Sequence, residues 1–570
     1  MPHERQPRST NDLEDTLRRI DGRGYPAYRD LKGAWALREH DDGAPRLILH
    51  VDRVQADPFA PPSLMRVVVD AATAGLPRDL VDDLPGRVAT ADFILRIIHK
   101  ALRHEPGGVS IGTPTQEIIE RSGVAITDAG VEARLTVPLP ADRRRVRGRQ
   151  ADELLLDILP DAVGHHLRAE GLELDTLRRH VTLYREQLAA QAQLTERDLV
   201  GFVADGAILP RAAGDSDLPL SDAVPFRSPD ARRVSLDLPS GRVVTGLGIP
   251  RGVTVVIGGG FHGKSTLLRA LTTGVHPRIE GDGREFVLSV PDAVAIRAED
   301  GRSVTKVDIS AFISGLPSGQ DTTSFTTTNA SGSTSQAAAI SEALEVGAST
   351  LFLDEDTCAT NLMMRDDVMR TLVSAEPITP LVERIAELSA SGVSTVLVAG
   401  GSSAFLPHAD LVLAMNAYVP EDVTDRAREA AGEAVPCPTA GARPTRFACL
   451  PRVLAQGGLA PATPNGKRPR PPAAKGRGVI RMGDETLDAT ATQVIDHEQT
   501  EGVARALAWL EANGNGQSLA HAVGHMGAEL ARRGLAALTE NQQHPGHVAL
   551  PRPADVAAAV NRYRRLRIQG

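Results

Sequence analysis

The chain has 570 residues, enough for about three or four domains, and 42% of them are hydrophobic, so large cores can be buried. A net charge of −9 argues against a polycation that coats nucleic acid along its whole length, while leaving room for local basic sites. The three cysteines show no paired spacing, the N-terminus is polar, and no apolar run approaches the ~20 residues that span a bilayer. These features speak against a disulfide scaffold or a membrane span, and lead to the expectation of a cytoplasmic protein.

In chain order, residues 1–12 read as a loose tail, and a helical pattern begins over Leu13–Ile20. Leu47–Val54 and Met65–Val69 read as strands flanking the turn-rich DPFAPPS (57–63), Phe93–Leu102 as a helix and Ala133–Val137 as a strand. Leu154–Leu194 reads as a mostly helical run. A mixed α+β N-terminal domain is therefore expected over 1–230. From 231 to 430, strand-like runs at Arg233–Leu238, Val253–Ile257, Thr350–Leu353, Thr395–Ala399 and Leu411–Met415 alternate with helical ones, the pattern of an α/β core. Residues 431–478 are rich in Pro, Gly and Ala and read as linker. A mainly helical C-terminal domain is expected over 479–570. There Val503, Leu507 and Leu510 share one helix face, and Leu519, Val523, Met526 and Leu530 another. Gly534 is a helix stop, and a last helix is expected over Pro553–Leu566.

Inside the α/β region, GGGFHGKST opens into a helical pattern directly after the apolar run Val253–Ile257. Strand, glycine-rich turn and helix make a phosphate-binding loop. Glycine lets the backbone approach an anion closely, and the helix start presents free N–H groups to it. The candidate contacts are Gly258, Gly259, Gly260, Phe261, His262, Gly263, Lys264, Ser265 and Thr266. Lys264 would reach the β/γ-phosphates and Ser265 would ligate Mg²⁺. About ninety residues on, the apolar strand Leu351–Leu353 ends in Asp354 and Glu355. That is where an open α/β sheet carries ligand chemistry. Asp354 would hold Mg²⁺ through water and Glu355 would act as general base on the attacking water, with Lys264 as the other catalytic group.

Between the two lies NASGSTSQAA, a Ser/Gly-rich turn that opens a helix. Alone it is a capped flexible loop. After a phosphate loop and before an apolar strand with an acidic pair, it matches the order of ABC-type ATPases, in which this signature closes over ATP held by a partner subunit. Ser331, Gly332, Ser333 and Gln336 would take that part. Longer stretches, among them GYPAYRDLKG (24–33), VQADPFAPPS (54–63), GAILPR (206–211), GDGREF (281–286), DEDTCATN (354–361) and AAAVNRYRRL (557–566), resemble the uncharacterised family of predicted ATPases of the ABC class. The resemblance implies an ABC-type P-loop NTPase core with flanking domains, ATP/ADP and Mg²⁺ as ligands, and a homodimer with ATP at its interface.

Two departures stand out. ABC transporter ATPases place a switch His after the strand that follows the acidic pair. Here Thr395–Ala399 runs into Gly400, Gly401, Ser402 and Ser403, and His408 lies further on. The usual Q-loop glutamine has only weak counterparts in Glu299 and Asp300, with Gln320 in a nearby loop, and Phe226 is a candidate adenine platform. The remaining signals have plain readings beside functional ones. Basic runs at Arg143–Arg149, Lys467–Arg477 and Arg562–Arg567 could hold RNA or DNA phosphates, or be solvated surface. His521, His525 and Glu529 share a helix face at zinc-compatible spacing, or are a solvated face. Cys358 beside the acidic pair could be oxidation-sensitive, or simply a small packed residue. The expected function is ATP binding and hydrolysis coupled to nucleic acid. The alternative is a nucleotide-gated protein with little turnover.

Overall fold

The structure is a computed structural model that describes residues 6–38, 45–366, 371–373, 375–432, 447, 451–462, 470–490, 492–539 and 543–569. Cys437, Cys449, Lys467 and Arg468 lie outside the described residues. The chain divides into two units, one of residues 1–185 and 534–550, the other of residues 186–533 and 551–570.

In the first unit, Ser9 and Asp12 form a reciprocal cap that starts helix α1 (Thr10–Ile20), whose buried face is Leu13, Leu17 and Ile20. The sheet contains β1 (Gly33–Arg38), β2 (Pro45–Arg53) and β3 (Ser63–Asp70), then, after helix α2 (Leu84–Leu102), β4 (Val124–Thr127) and β5 (Gly130–Val137). Its order is Arg8–Ser9, β1, β2, β3, β5, β4. Alternate residues point inward, and Trp35, Leu37, Leu47, Leu49, Met65, Val67, Ala133 and Leu135 are buried there. The DPFAPPS turn is held by one side chain. Gln55 Nε2 donates to the carbonyls of Pro58 (3.2 Å) and Ala60 (2.9 Å), while its Oε1 accepts from the Leu139 N–H (3.1 Å). Prolines offer no N–H to order such a turn, so a side-chain amide does it. The expected long helix over 154–194 is interrupted. Wide π-helical turns cover 153–164 and short 3₁₀ turns cover 165–171, before α3 (Leu174–Glu196). Pro160 lies in this stretch, and Gly164 packs against Leu47, where a Cβ would come within 2.4 Å of Leu47 Cδ1.

The second unit begins inside α3, not near 231 as the sequence led us to expect. The reason is β6 (Leu199–Ala204), every residue of which is buried. It lies within an antiparallel sheet ordered β7 (Arg233–Asp237), β8 (Val243–Pro250), β6, β10 (Val287–Ser289). Between β8 and β10 the chain makes β9 (Val253–Gly258) and helix α4 (Lys264–Thr273). The central sheet is ordered β11 (Val294–Ile296), β12 (Thr350–Asp354), β13 (Ser394–Val398), β9, β14 (Leu411–Asn416), β15 (Val419–Asp422). All its pairings are parallel except β14–β15. Its strands are near-continuous apolar runs because both faces are covered. Helix α5 (Gly332–Glu345) precedes β12 and buries Ala337, Ala338, Ile340 and Ala343, and α6 (Leu381–Ala390) precedes β13 and buries Ile385 and Leu388.

The GAILPR and GDGREF segments meet in this unit. The fully buried Asp282 carboxylate accepts from Arg211 (2.9 Å) and Arg278 (3.3 Å). Burial, then the charges of Arg211 and Arg278, push the nearby Arg284 guanidinium down to about 9.

The C-terminal part is mainly helical, as expected, with a small sheet the sequence reading did not foresee. It carries a three-stranded sheet of β16 (Ala473–Gly476), β17 (Val479–Met482) and β18 (Glu485–Asp488) before α7 (His497–Asn513), α8 (Leu519–Arg533) and α9 (Pro553–Asn561). Helix α9 stops at Asn561 rather than Leu566. The following residues bond to the segment 453–458, through Arg567 N–H to Gly458 O (3.2 Å) and Gln569 N–H to Val453 O (2.8 Å). That segment, expected as linker, buries Leu454. Gly534 ends α8 at φ +57, as a helix stop does.

Candidate functional site

The phosphate loop leaves the C-terminal end of β9 and enters α4. Gly258 needs its glycine, because at φ +140 a Cβ would lie 2.5 Å from the Met415 carbonyl of the adjacent β14. Gly263 starts α4 in the left-handed region at φ +97, and no side chain caps the helix. The first-turn N–H groups are thus available to an anion. Lys264 Nζ bonds back across the loop to the carbonyls of Gly258 (2.8 Å) and Gly259 (2.9 Å). It therefore sits over the cradle a phosphate would enter. Ser265 is exposed at the helix start. His262 faces the β14–β15 turn, its Nδ1 accepting from the Ala417 N–H at 2.9 Å. Phe261 has φ +64, and its side chain is 99% exposed. These residues fit a nucleoside triphosphate.

Asp354 ends β12, with Oδ1 accepting from the Asp356 N–H at 3.3 Å. Asp354 and Ser265 fit an oxygen-ligated Mg²⁺, which keeps most of its waters and takes few protein ligands. Glu355 is held from the next strand. Its Oε2 accepts from the N–H groups of Gly400 (2.6 Å) and Gly401 (3.2 Å), in the turn after β13. Two backbone amides thus stand where a switch His was missing. His408 lies in a short 3₁₀ turn, and burial holds its pKa below the ordinary value.

The signature segment divides. Ser331 caps α5 and is exposed, its Oγ 3.5 Å from the Thr334 N–H and 3.0 Å from the Thr334 hydroxyl, with Gly332 next to it. Ser333 and Gln336, expected as nucleotide contacts, are buried. Ser333 Oγ accepts from Asn361 Nδ2 (3.4 Å). Gln336 is fully buried, with Oε1 accepting from the Ala359 N–H (2.7 Å) and Nε2 at 3.3 Å from Met363 Sδ. Gln336 therefore splices α5 to the segment after the acidic pair.

Several other candidates also have structural work. Phe226 is buried at 2% exposure and offers no stacking face. Gln320 donates to the Thr326 carbonyl (2.8 Å). Glu299 pairs with Arg562, through Nε at 3.0 Å, and its N–H donates to Ser335 Oγ on α5 (2.8 Å). Asp300 Oδ1 lies 3.3 Å from where a Cβ on Gly332 would be. His525 packs edge-on to Trp509, and Glu529 pairs with Arg532 (2.7 Å). Among the described residues no group of three or more metal-ligating side chains forms. Burial and then Asp354 push the Cys358 thiol up to about 12.

The C-terminal basic cluster is committed within the chain. Arg564 donates to the carbonyls of Thr328 (2.7 Å) and Gly301 (2.9 Å), Arg565 pairs with Glu485, and Arg567 donates to the Gly457 carbonyl (2.7 Å). Arg143, Arg144 and Arg145 stay exposed. No helix among the described residues is long and apolar enough to cross a membrane.

Family models match most of the chain. One described as a P-loop domain covers residues 173–444, one described as ATPase of the ABC class N-terminal covers 10–170, and one described as MRB1590 C-terminal domain covers 473–569. The uncharacterized protein MJ1628 of Methanocaldococcus jannaschii is 31% identical over 157 residues, which is 27% of this chain and 34% of that protein. The chain thus spans about a third of that relative's length. Two crystal structures of MJ1267, an ATP-binding cassette of an ABC transporter, are similar at low scores. Its ADP conformation has TM-score 0.26 and 11% identity, covering 40% of this chain and 94% of the other. The twinning structure has TM-score 0.23 and 12% identity, covering 39% and 89%. The P-loop match starts at residue 173, within two residues of α3, where the second unit also begins. With its N-terminal model matched on the first unit and its P-loop model on the second, the chain belongs to the ATPases of the ABC class.

Proposed function

We propose that the chain hydrolyses ATP with Mg²⁺ at a composite site between two copies of itself, and couples that cycle to RNA or DNA. The observation that carries the reading is the exposure of two half-sites on one chain. The phosphate loop presents a fully exposed Phe261, and α5 presents Ser331 and Gly332 at its open end. One loop and one signature per chain pair most simply through a two-fold axis. Lys264 would release its loop carbonyls and turn to the β/γ-phosphates. Ser265 and Asp354 would hold Mg²⁺, which when bound neutralises charge on the phosphates. Glu355, positioned by Gly400 and Gly401, would accept the proton of the attacking water. Ser331 and Gly332 would close on the nucleotide of the partner copy.

The nucleic-acid part rests on the exposed Arg143, Arg144 and Arg145, which suit a phosphate backbone, and the scarcity of aromatic residues (3%) speaks against base stacking there. Cysteine usage supports a cytoplasmic location.

The test measures phosphate release and oligomeric state, with and without RNA, single-stranded DNA and duplex DNA, over a range of salt. Glu355→Gln is expected to stop turnover and trap an ATP-bound dimer, and Lys264→Ala to abolish ATP binding. A Glu355→Gln variant that stays monomeric and turns over at the wild-type rate would falsify the role of Glu355. Nucleic-acid binding indifferent to salt would reject the arginine contact. The second reading, gated binding with little turnover, is favoured by the absent switch His. It holds if the wild type binds ATP and dimerises without releasing phosphate.

A further inference from the structure

We propose that Phe59 is a stacking platform for an unpaired base of single-stranded nucleic acid whose backbone phosphates lie on Arg143 and Arg144, an inference that rests on the nucleic-acid contact proposed for these arginines. Phe59 sits in the turn Asp57-Pro58-Phe59-Ala60, closed by a hydrogen bond from the Ala60 N–H to the Asp57 carbonyl (2.8 Å). Asp first and Pro second are residues that such a turn prefers, the proline because its ring presets φ. Gln55 braces the same turn through the carbonyls of Pro58 and Ala60. The backbone is therefore fixed, yet Phe59 is 87% exposed, so the chain covers neither face of its ring. Among the described residues of the first unit, no other Phe, Tyr or Trp is exposed.

The arginines stand beside this turn, and one carboxylate serves both. Asp57 Oδ1 accepts from the Phe59 N–H (3.1 Å), and Asp57 Oδ2 lies 3.3 Å from Arg144 Nε. Arg143 and Arg144 form the tip of the hairpin 141–146, in which Ala141 pairs with Val146 and Asp142 with Arg145. The hairpin is anchored to the GYPAYRDLKG segment, through the Tyr25 N–H to the Arg144 carbonyl (2.8 Å) and Tyr28 Oη to the Pro140 carbonyl (2.6 Å). Leu139 ties both to the Phe59 turn, since its N–H donates to Gln55 Oε1 (3.1 Å) and its carbonyl accepts from Tyr25 Oη (3.1 Å). The Arg144 side chain is 76% exposed, and the Arg143 side chain has no hydrogen bond or ion pair among the described residues, so both are available to phosphates. Arg53, also exposed, donates to the Pro62 carbonyl (3.2 Å) at the other end of the turn. Composition alone speaks against base stacking at these arginines. Position reverses that, because a single ring suffices when it stands next to the cations.

In a duplex the bases already stack on one another, whereas a single strand leaves base faces free, so an exposed ring selects single strands. Every base has an aromatic face, so Phe59 reads strand state and not sequence. The turn is ordered before binding, and little freedom is lost when a base docks on it. The test uses the full chain and fluorescence anisotropy with labelled oligouridylate, oligothymidylate, a blunt DNA duplex and an abasic strand. We expect Phe59→Ala to weaken both base-bearing single strands about tenfold (about 1.4 kcal/mol) and to leave the duplex and the abasic strand within about twofold, with Phe59→Trp matching the wild type or exceeding it. Replacing Arg143 and Arg144 together by Ala should weaken all four probes and flatten their salt dependence. Single-strand affinity within twofold of wild type for Phe59→Ala overturns the platform and leaves the arginine contact standing. An equal loss on the abasic strand also overturns it, and so does a loss confined to RNA or to DNA, since a ring stacks on either. A change in the sedimentation of Phe59→Ala overturns it too, by showing that the ring packs between copies of the chain. A wild-type protein that binds none of the four probes refutes the arginine contact and the platform together.

Discussion

The pair Arg562–Glu299 joins the segment after α9 to the turn that supports α5, and its loss should be measurable. Arg562 is 8% exposed and Glu299 17%, so the pair is largely out of water. Arg562→Met leaves the Glu299 carboxylate with little solvent to replace the guanidinium, and also removes the bond from Arg562 Nη1 to the Ala558 carbonyl (2.8 Å). Deleting one partner of a buried pair costs about 3–5 kcal/mol. The residual exposure of Glu299 places the expected loss near the lower figure, about 3 kcal/mol. Glu299→Gln on top of Arg562→Met neutralises the stranded charge and should recover part of that loss, a coupling of about 1–2 kcal/mol in a double-mutant cycle. Trp35 lies in the first unit and Trp509 in the second, so urea unfolding followed by fluorescence in a Trp35→Phe background reports on the second unit. A loss under about 1 kcal/mol for Arg562→Met, or two effects that add within about 0.5 kcal/mol, would refute the reasoning.

Asp282→Asn should be costlier still, about 3–5 kcal/mol, because it takes the shared carboxylate away from the partly buried Arg211 and the buried Arg278. The same Trp509 signal checks it, and an unchanged urea midpoint would show the cluster to be held by other means. His544 should make the first unit acid-sensitive. Its Nε2 faces the Leu135 carbonyl (2.9 Å) and its Nδ1 accepts from the Gly546 N–H (3.1 Å), so the ring is neutral and burial pushes its pKa down to about 4. The unfolded chain takes up the proton near the ordinary value of about 6.5, so the stabilisation is complete above that pH and is lost as pH falls towards 4, by up to about 3 kcal/mol. His544→Gln should flatten that window, and superimposable stability profiles would contradict it. Cys358, with a thiol pushed up to about 12, should resist iodoacetamide at pH 8 in the folded protein and react on unfolding, measured in a Cys437→Ser, Cys449→Ser background. Labelling of the native state at the rate of a free thiol would overturn this.

What could be read in advance was local. The phosphate loop needs strand, glycines, lysine and helix within about twenty residues, and each has a sequence mark, as does the apolar strand ending in Asp354–Glu355. What stayed hidden depends on distant partners. Gln336 sits in a signature-like stretch, yet it is turned inward by Ala359 and Met363, more than twenty residues away in the chain. The arginines 562–567 look like an anion site until Glu299, Glu485 and the carbonyls of Gly301 and Thr328 are placed against them. The clamp on Glu355 comes from two glycine amides, and a backbone N–H has no sequence signature. β6 did have one, since LVGFVA is an unbroken apolar run, but it lies inside the stretch 1–230 assigned to the N-terminal domain, and the sequence reading does not include it as a strand.

Those distant partners also constrain how α5 can act. The helix is tied at three levels to its surroundings. Ser335 accepts from the Glu299 N–H, Glu342 pairs with Arg302 (2.9 Å), and Glu345 pairs with Arg452, which also reaches Asn561 Oδ1 (2.8 Å). Glu299 in turn holds Arg562, so the first and last turns of α5 are both linked to the end of α9. Arg302, Glu342, Arg452 and Glu345 are each about 5% exposed, and sliding α5 past them would strand buried charges, at several kcal/mol per pair. The low-cost motion is therefore one in which α5 and the segment after α9 move as a single body. In that case Arg562→Met should lower stability and loosen the exposed Ser331–Gly332 end of α5 together. Amide hydrogen exchange reads this directly: faster exchange over residues 329–336 in Arg562→Met supports the rigid link, and unchanged exchange there alongside a lowered urea midpoint would show that the end of α9 stabilises the unit without holding the signature turn.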